Sequence, residues 1–171
     1  MDVLRAKSLS NRDLFQLFDN RIRIVTYSKL STFNSLDDLF GPYDVVFILY
    51  EIRPKYGHWC VICRTPSTVY FFDPYGMFPD DQLQYTPDLF RMTHGMDRPV
   101  LTQLLIESPM NVRYNQHMLQ NPDNPSVATC GRWCALYALL YQYISIDEFA
   151  DIFQSSGMDP DDAITLLTNF V

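Results

Sequence analysis

The longest apolar helical pattern in the chain is Cys130-Gly-Arg-Trp-Cys-Ala-Leu-Tyr-Ala-Leu-Leu-Tyr-Gln-Tyr143. It is apolar nearly all round at helical spacing, and a helix without a polar face has to be buried on every side. We therefore predict a central buried helix that begins at Cys130. The remainder of the chain must supply the layers that enclose this helix.

The residues before this helix carry strand signals. Residues 45–50 form a continuous apolar run that suits a buried strand, and residues 58–63 and 69–72 follow as two strands joined by a turn. Residues 111–119 predict a further core strand, whereas Pro and Gly punctuate residues 77–98 as a loop.

Helical patterns lie on both sides of this block of strands. They cover residues 11–18, 36–40, 99–107 and 146–153, and a last helix that starts at Asp159-Pro160 with Leu166, Leu167 and Phe170 facing inward. Strands in one block with helices before and after them predict an α+β fold.

Length and composition place the chain among ordinary globular proteins. With 171 residues, residues 1–171 are expected to form a single domain with its own core. Hydrophobic residues make up 47% and charged residues 19%, which excludes a disordered tail. No apolar run reaches the ~20 residues that span a bilayer, so we expect no membrane partner. The first residues lack the apolar segment of a secretory signal, and we expect a protein that is not secreted.

Cys130 is a candidate nucleophile because of its place at the start of a helix. Unpaired N–H groups and the helix dipole favour the thiolate there, and they can also hold an oxyanion. A small buried cysteine in the core is the alternative interpretation. Position alone favours the alternative, so the hypothesis needs partners for Cys130.

His58 and Asp73 are the candidate partners. A nucleophilic Cys needs a base, and imidazole titrates in the required range. Asp73 ends the strand that follows the strand begun by His58. If the two strands pair as a hairpin, both residues lie at its open end, where the carboxylate can orient the imidazole. Taken alone, His58 is a structural histidine at a strand entry and Asp73 a turn residue.

These residues resemble the adenain-type maturation proteases, which share a clan with the peptidases that process ubiquitin-like proteins. The resemblance extends over residues 43–143, and the pattern Y-N-x-x-x-L-Q…S-x-x-T-C-G-x-W-C is similar to proteases of virophages and polinton-like elements. Its segments are Gly57-His-Trp59, Phe72-Asp-Pro-Tyr-Gly76, Leu119-Gln120, and Thr129-Cys-Gly131 with Cys134. The resemblance implies a mixed sheet and a nucleophile at the start of a central helix. It also implies a papain-like active site whose residues occur along the chain in the reverse of the papain order.

What the resemblance implies about function is a thiol endopeptidase. We expect no cofactor in its chemistry. The resemblance implies cleavage of capsid or other structural precursors during virion maturation, in the virion and the host cytoplasm. Removal of ubiquitin or a ubiquitin-like protein from host conjugates is a same-clan alternative, and a catalytically inactive relative that binds a peptide or a ubiquitin-like tail is an alternative of another class. We expect a monomer.

The oxyanion-hole amide has two candidates. The family usually has a Gln six or seven residues before the Cys, whereas Gln120 lies ten residues before Cys130 and Asn124 lies closer. We favour Gln120, because Leu-Gln followed by a variable loop resembles the virophage pattern, and we interpret Asn124 as a turn former. Trp59 follows His58 and is either a wall of the substrate channel or a core residue.

The four cysteines also raise a metal interpretation. Cys60 and Cys63 have zinc-ligand spacing, and His58, His94 or His117 could complete a set. Alternation within a strand points the two cysteines to opposite faces, so we expect no metal site. We expect Cys134 to lie in the core.

Charge predicts that DNA stimulates the enzyme weakly or not at all. The net charge is −7, although residues 1–29 hold six basic and three acidic residues, which form either a local basic patch or an ordinary solvated face. Proteolysis of a peptide substrate measured with and without duplex DNA, at low and at physiological salt, checks this expectation. A large, salt-sensitive activation contradicts it.

Overall fold

In the computed structural model, which describes residues 2–169, five strands form one mixed sheet in the order β1-β2-β3-β4-β5. The strands are β1 (Arg23–Thr26), β2 (Val45–Arg53), β3 (Tyr56–Arg64), β4 (Thr68–Phe72) and β5 (Asn111–Tyr114). The pairs β1–β2 and β4–β5 are parallel, whereas β2, β3 and β4 form an antiparallel meander. The predicted α+β class with a mixed sheet is confirmed.

Helices cover both faces of the sheet. The α-helices of the described chain are α1 (Asp2–Arg5), α2 (Asn11–Leu17), α3 (Leu36–Phe40), α4 (Asp88–Thr93), α5 (Val100–Glu107), α6 (Cys130–Leu140), α7 (Ile146–Gln154) and α8 (Pro160–Leu167), and two 3₁₀ helices span Tyr27–Thr32 and Asp81–Tyr85. None of the helices in residues 2–169 has the length and apolar character needed to span a membrane.

The sheet separates two hydrophobic cores because successive strand residues point to opposite faces. One core packs α6, α7 and α8 against Trp59, Val61 and Cys63 of β3. The other packs α3, α5 and the first 3₁₀ helix against Cys60 and Ile62 of the same strand. Cys60 and Cys63 therefore lie on opposite faces, as the strand pattern predicts.

The hairpin of β3 and β4 brings His58 and Asp73 to one end of the sheet. Val61 pairs with Phe72, so the chain continues to His58 on one strand and to Asp73 on the other at the same open end. Gly57 is required before His58, because a Cβ at this position would lie 1.9 Å from the Tyr50 carbonyl oxygen.

Helix α6 is enclosed as its composition predicts. Cys134 is fully buried, and its thiol donates a hydrogen bond to the Trp59 carbonyl of β3, with 3.2 Å between Sγ and O. On the other side, Arg132 donates to the Thr168 carbonyl, with 2.7 Å between nitrogen and oxygen. The sheet and the C-terminal residues thus hold α6 from both sides.

Three local predictions were wrong. Strand β5 ends at Tyr114 and its first three residues are exposed, because the chain leaves the sheet at Asn115 rather than continuing as a core strand to residue 119. Residues 77–98 contain a 3₁₀ helix and α4 rather than only a loop.

The third error concerns α8. Leu166 and Leu167 are about half exposed, and Ala163 and Ile164 face the core instead. The predicted inward position of Phe170 lies outside the described residues.

Candidate active site

His58 and Asp73 form the centre of the site. Nε2 of the His58 ring lies 2.7 Å from Oδ1 of Asp73, and both side chains are buried. The other ring nitrogen, Nδ1, is buried and has no partner of good hydrogen-bond geometry within residues 2–169. It is left for the Cys130 thiol, which lines the same cleft as His58.

The Asp73 carboxylate is fully enclosed and receives several N–H donors. The Tyr75 backbone N–H donates to Oδ1 over 2.8 Å, and the Gln82 side-chain amide donates to Oδ2 over 2.9 Å. Buried Asn115 donates to the Asp73 carbonyl over 2.7 Å, which fixes the backbone of the turn. N–H donors compensate the loss of hydration of a buried carboxylate.

The environment of His58 favours its protonated form. Burial alone would lower the pKa of His58, but the charge and hydrogen bond of Asp73, together with the nearby Cys130 thiol, raise it to about 9. The Tyr75 ring stacks on the imidazole with 3.8 Å between ring centroids. The imidazole is therefore held by a carboxylate at its edge and an aromatic ring on its face.

Cys130 is the first residue of α6, and the preceding Thr129 does not cap this helix. In the described chain, side chains of Ser10, Ser35, Ser145 and Asp159 accept hydrogen bonds at the starts of four other helices. The Thr129 hydroxyl instead donates to the Asp161 carboxylate. The N–H groups at the start of α6 thus have no side-chain cap among residues 2–169, and such groups attract an anion.

Gln120 is brought to the site by the turn that follows Asp73. The backbone N–H groups of Leu119 and Gln120 donate to the Pro74 carbonyl over 2.9 and 3.0 Å. The Gln120 side chain is buried, and its Nε2 donates one hydrogen bond, to the Val127 carbonyl over 3.3 Å, within the described chain. One amide N–H is left for a ligand in the cleft.

Asn124 is exposed and engaged in a local turn. Its Oδ1 accepts hydrogen bonds from the Ser126 backbone N–H over 3.2 Å and from the Ser126 hydroxyl over 2.6 Å. This geometry is typical of a turn former. Asn124 nevertheless lines the cleft, so a mutational comparison with Gln120 is required.

A cleft of about 690 Å³ connects these residues. His58, Trp59, Gln120 and Cys130 line it, and Asp73 lies behind His58. Trp59 is a core residue, since only 4% of its surface is exposed. Its exposed part also forms a wall of the cleft. Its indole N–H donates to the Leu9 carbonyl over 3.2 Å and thereby holds the N-terminal segment as the opposite side of the cleft.

One group of three side chains in the described chain has the composition of a metal site. His58, Cys60 and Asp73 place ligand atoms within 4.8 Å of one another. A metal would have to break the bond between His58 and Asp73. Burial and the Asp73 charge also raise the pKa of the Cys60 thiol well above its ordinary value, which disfavours the thiolate that a metal binds.

Sequence reasoning missed three residues that contact the pair. Tyr75 belongs to the predicted turn and to the Phe72–Gly76 segment of the resemblance, and its place two residues after Asp73 is the signal that could have identified the contact of its ring with His58. Asn115 was assigned to a strand. Gln82 lies in a segment without helical or strand periodicity, and no signal in the sequence connects it with Asp73.

Comparisons with known proteins give two similarities. The chain is 36% identical to the uncharacterized protein V9 of Sputnik virophage over 166 residues, which cover 94% of each protein. The crystal structure of the ASFV pS273R protease has a similar fold, with a TM-score of 0.51 and 13% identity, over 94% of this chain and 67% of that one. No protein-family model matches the chain.

We expect iodoacetamide to modify Cys130 before Cys60, Cys63 and Cys134. Burial raises the pKa of the latter three thiols well above the ordinary value, so they are poor nucleophiles at neutral pH. Peptide mapping by mass spectrometry over time measures the order. The rate at Cys130 should fall in His58→Ala, and modification of Cys134 first would contradict the assignment.

We expect Gln120→Ala to lower kcat by roughly 10²–10³, the usual effect of removing one oxyanion-hole donor. Substrate binding should change little, because the donor acts on the transition state. Asn124→Ala is the matched control, since it removes an amide from the same loop and should affect mainly stability. The opposite pattern in steady-state kinetics would assign the role to Asn124.

Proposed function

The chain belongs to the same family as protein V9 of Sputnik virophage, and we propose that it is a cysteine endopeptidase. Cys130 is the nucleophile, His58 the general base and acid, and Asp73 the residue that orients His58. The Gln120 amide and the backbone N–H at the start of α6 form the oxyanion hole.

The first half of the reaction makes a thioester. His58 takes the Cys130 proton, the thiolate attacks the scissile carbonyl carbon, and the oxyanion receives hydrogen bonds from the Gln120 amide and the helix N-terminus. The tetrahedral intermediate collapses when the C–N bond breaks and the imidazolium gives its proton to the leaving amine. The N-terminal product fragment then remains attached to Sγ.

Water completes the reaction. Neutral His58 removes a proton from a water molecule that attacks the thioester carbonyl, and the C–S bond breaks to release the carboxylate product and the thiol. The pKa of about 9 favours the imidazolium in the resting enzyme, which suits the acid step. In the thioester, the Cys130 sulfur no longer carries a charge, so the pKa of His58 falls and more of the imidazole is in the neutral form that accepts a proton.

One observation supports the proposal most strongly: a hydrogen-bonded His58–Asp73 pair, 2.7 Å between Nε2 and Oδ1, lies beside the N-terminal Cys of a buried helix. The helix start, the imidazole and a buried amide line one cleft, which is the arrangement that thiol-dependent acyl transfer requires. The similar fold of a viral protease is consistent with this chemistry.

The proposed substrates are capsid and other structural precursors that are cut during virion maturation. The relative is a virophage protein and the fold is similar to that of a viral protease, and both similarities support a viral protein as the substrate. The proposed locations are the virion and the host cytoplasm. Processing of a ubiquitin-like protein would use the same site and is an outcome of the experiment below.

The test is digestion of virion precursor proteins and of ubiquitin-like conjugates, with cut sites identified by mass spectrometry. We expect cuts in the precursors after Gly or another small residue, because the resemblance to adenain-type proteases implies a narrow channel beside the nucleophile. Trp59, which lines the cleft together with Cys130, would form one wall of this channel, and bulky side chains would overlap with it. Cys130→Ala, which should stay folded, is the control and should cut nothing.

Trp59→Ala should admit larger residues at the cut site. Efficient cleavage after Phe or Arg by the unmodified enzyme would contradict this specificity. Cleavage of the conjugates alone would assign the activity to ubiquitin-like processing. A protein that cuts neither substrate and resists thiol labelling would be an inactive peptide-binding relative.

A further inference from the structure

The two oxygens of the Asp73 carboxylate are held in different ways. Oδ1 interacts with His58 and also accepts the Tyr75 backbone N–H, which belongs to the same turn as Asp73. Oδ2 faces away from His58. Its one donor of good geometry among residues 2–169 is the side-chain amide of Gln82, 2.9 Å away.

Gln82 reaches this carboxylate from a separate element. It lies in the 3₁₀ helix Asp81–Tyr85, and only 2% of its surface is exposed. Its nitrogen also lies 3.4 Å from the Met77 sulfur, a weak acceptor. Because an ionised carboxylate only accepts hydrogen bonds, it selects the NH₂ end of the amide and so defines the orientation of Gln82.

We propose that Gln82 is a positioning residue that keeps the Asp73 carboxylate aligned with the His58 ring, an inference that rests on the proposed function of this pair. Without the amide, Oδ2 would be buried with no N–H donor among residues 2–169, and the nearby Cys60 thiol is only a weak donor. The carboxylate would then rotate toward another donor or take up a proton, since a buried charge without a partner is costly. Either change weakens its hold on the imidazole.

The expected consequence is a change in pH dependence. Asp73 raises the pKa of His58 against the effect of burial, so a weaker carboxylate lowers that pKa and the imidazolium is lost at lower pH. The other titratable groups around the pair are Cys60 of β3, Cys130 of α6 and Tyr75 of the turn, with Cys134 one helical turn further. None of these groups is altered by a substitution at Gln82.

The experiment compares Gln82→Met with Gln84→Met. Met has a volume similar to that of Gln but no N–H donor. Gln84 belongs to the same 3₁₀ helix, but it is exposed and donates to the Asp81 carbonyl, so Gln84→Met is a matched control. We expect Gln82→Met to lower kcat/KM by roughly ten- to a hundredfold, the effect of losing a hydrogen bond to a charged group. The alkaline limb of the pH profile should move to lower pH, and the control should match the unmodified enzyme.

Gln82→Glu provides a rescue test if the Met variant folds poorly. The introduced carboxyl group can donate a hydrogen bond to Asp73 when it is protonated, whereas it repels Asp73 when it is ionised. Activity should therefore approach that of the unmodified enzyme at low pH and fall early as the pH rises. Thermal unfolding of each variant separates loss of structure from loss of positioning. An unchanged pH profile in either folded variant would overturn the proposal.

Alkylation of Cys130 by iodoacetamide separates this proposal from the proposed function. The reaction needs no peptide, so its pH profile reports on His58 and Asp73 even if the chain cleaves no protein. A shifted alkylation profile in Gln82→Met without any peptidase activity would support the role of Gln82 and contradict the endopeptidase. An unshifted alkylation profile together with full peptidase activity would support the endopeptidase and contradict the role of Gln82.

Discussion

Burial of α6 against β3 determines how the other elements are arranged. An apolar helix of this kind cannot face water on any side, so the sheet covers one face and α7 and α8 cover the other. The contact between the Cys134 thiol and the Trp59 carbonyl fixes the register of helix against strand. Once that register is set, the first residue of the helix, Cys130, lies beside the residue that precedes Trp59. The juxtaposition of Cys130 and His58 is therefore a consequence of core packing.

Enclosure of Asp73 carries an electrostatic cost that the surrounding chain offsets. A fully buried carboxylate is unfavourable unless N–H donors or a cation replace its hydration. The structure supplies a backbone N–H, the Gln82 amide and the His58 ring, and Asn115 secures the backbone of the turn. Each donor comes from a different part of the chain, so the carboxylate also ties these parts together. A surface Asp would be screened by water and would affect the imidazole less.

Sequence patterns predicted the elements that local rules govern. Capped helices, the buried α6 and the shared end of the β3–β4 hairpin follow from periodicity and turn chemistry, and they sufficed to nominate His58, Asp73 and Cys130. The patterns could not predict the contact of Gln82 with Asp73, because a single hydrogen bond between a 3₁₀ helix and a separate turn produces no periodicity in the sequence. They also placed residues 115–119 in a strand, since the local sequence does not reveal that the Asn115 side chain bonds to the Asp73 turn and that the chain leaves the sheet there.

The separation of ten residues between Gln120 and Cys130 is bridged by a compact loop. The intervening loop folds back on itself: the Val127 N–H donates to the Asn124 carbonyl, and the Val127 carbonyl accepts from the Gln120 amide. Gln120 thus contacts a residue only three positions before Cys130. The Ala128 N–H is bonded in turn to the Arg5 carbonyl, which anchors the end of the loop. Extra residues in such a loop extend outward and leave the positions of its two ends unchanged, so a longer spacing is compatible with an amide at the oxyanion hole.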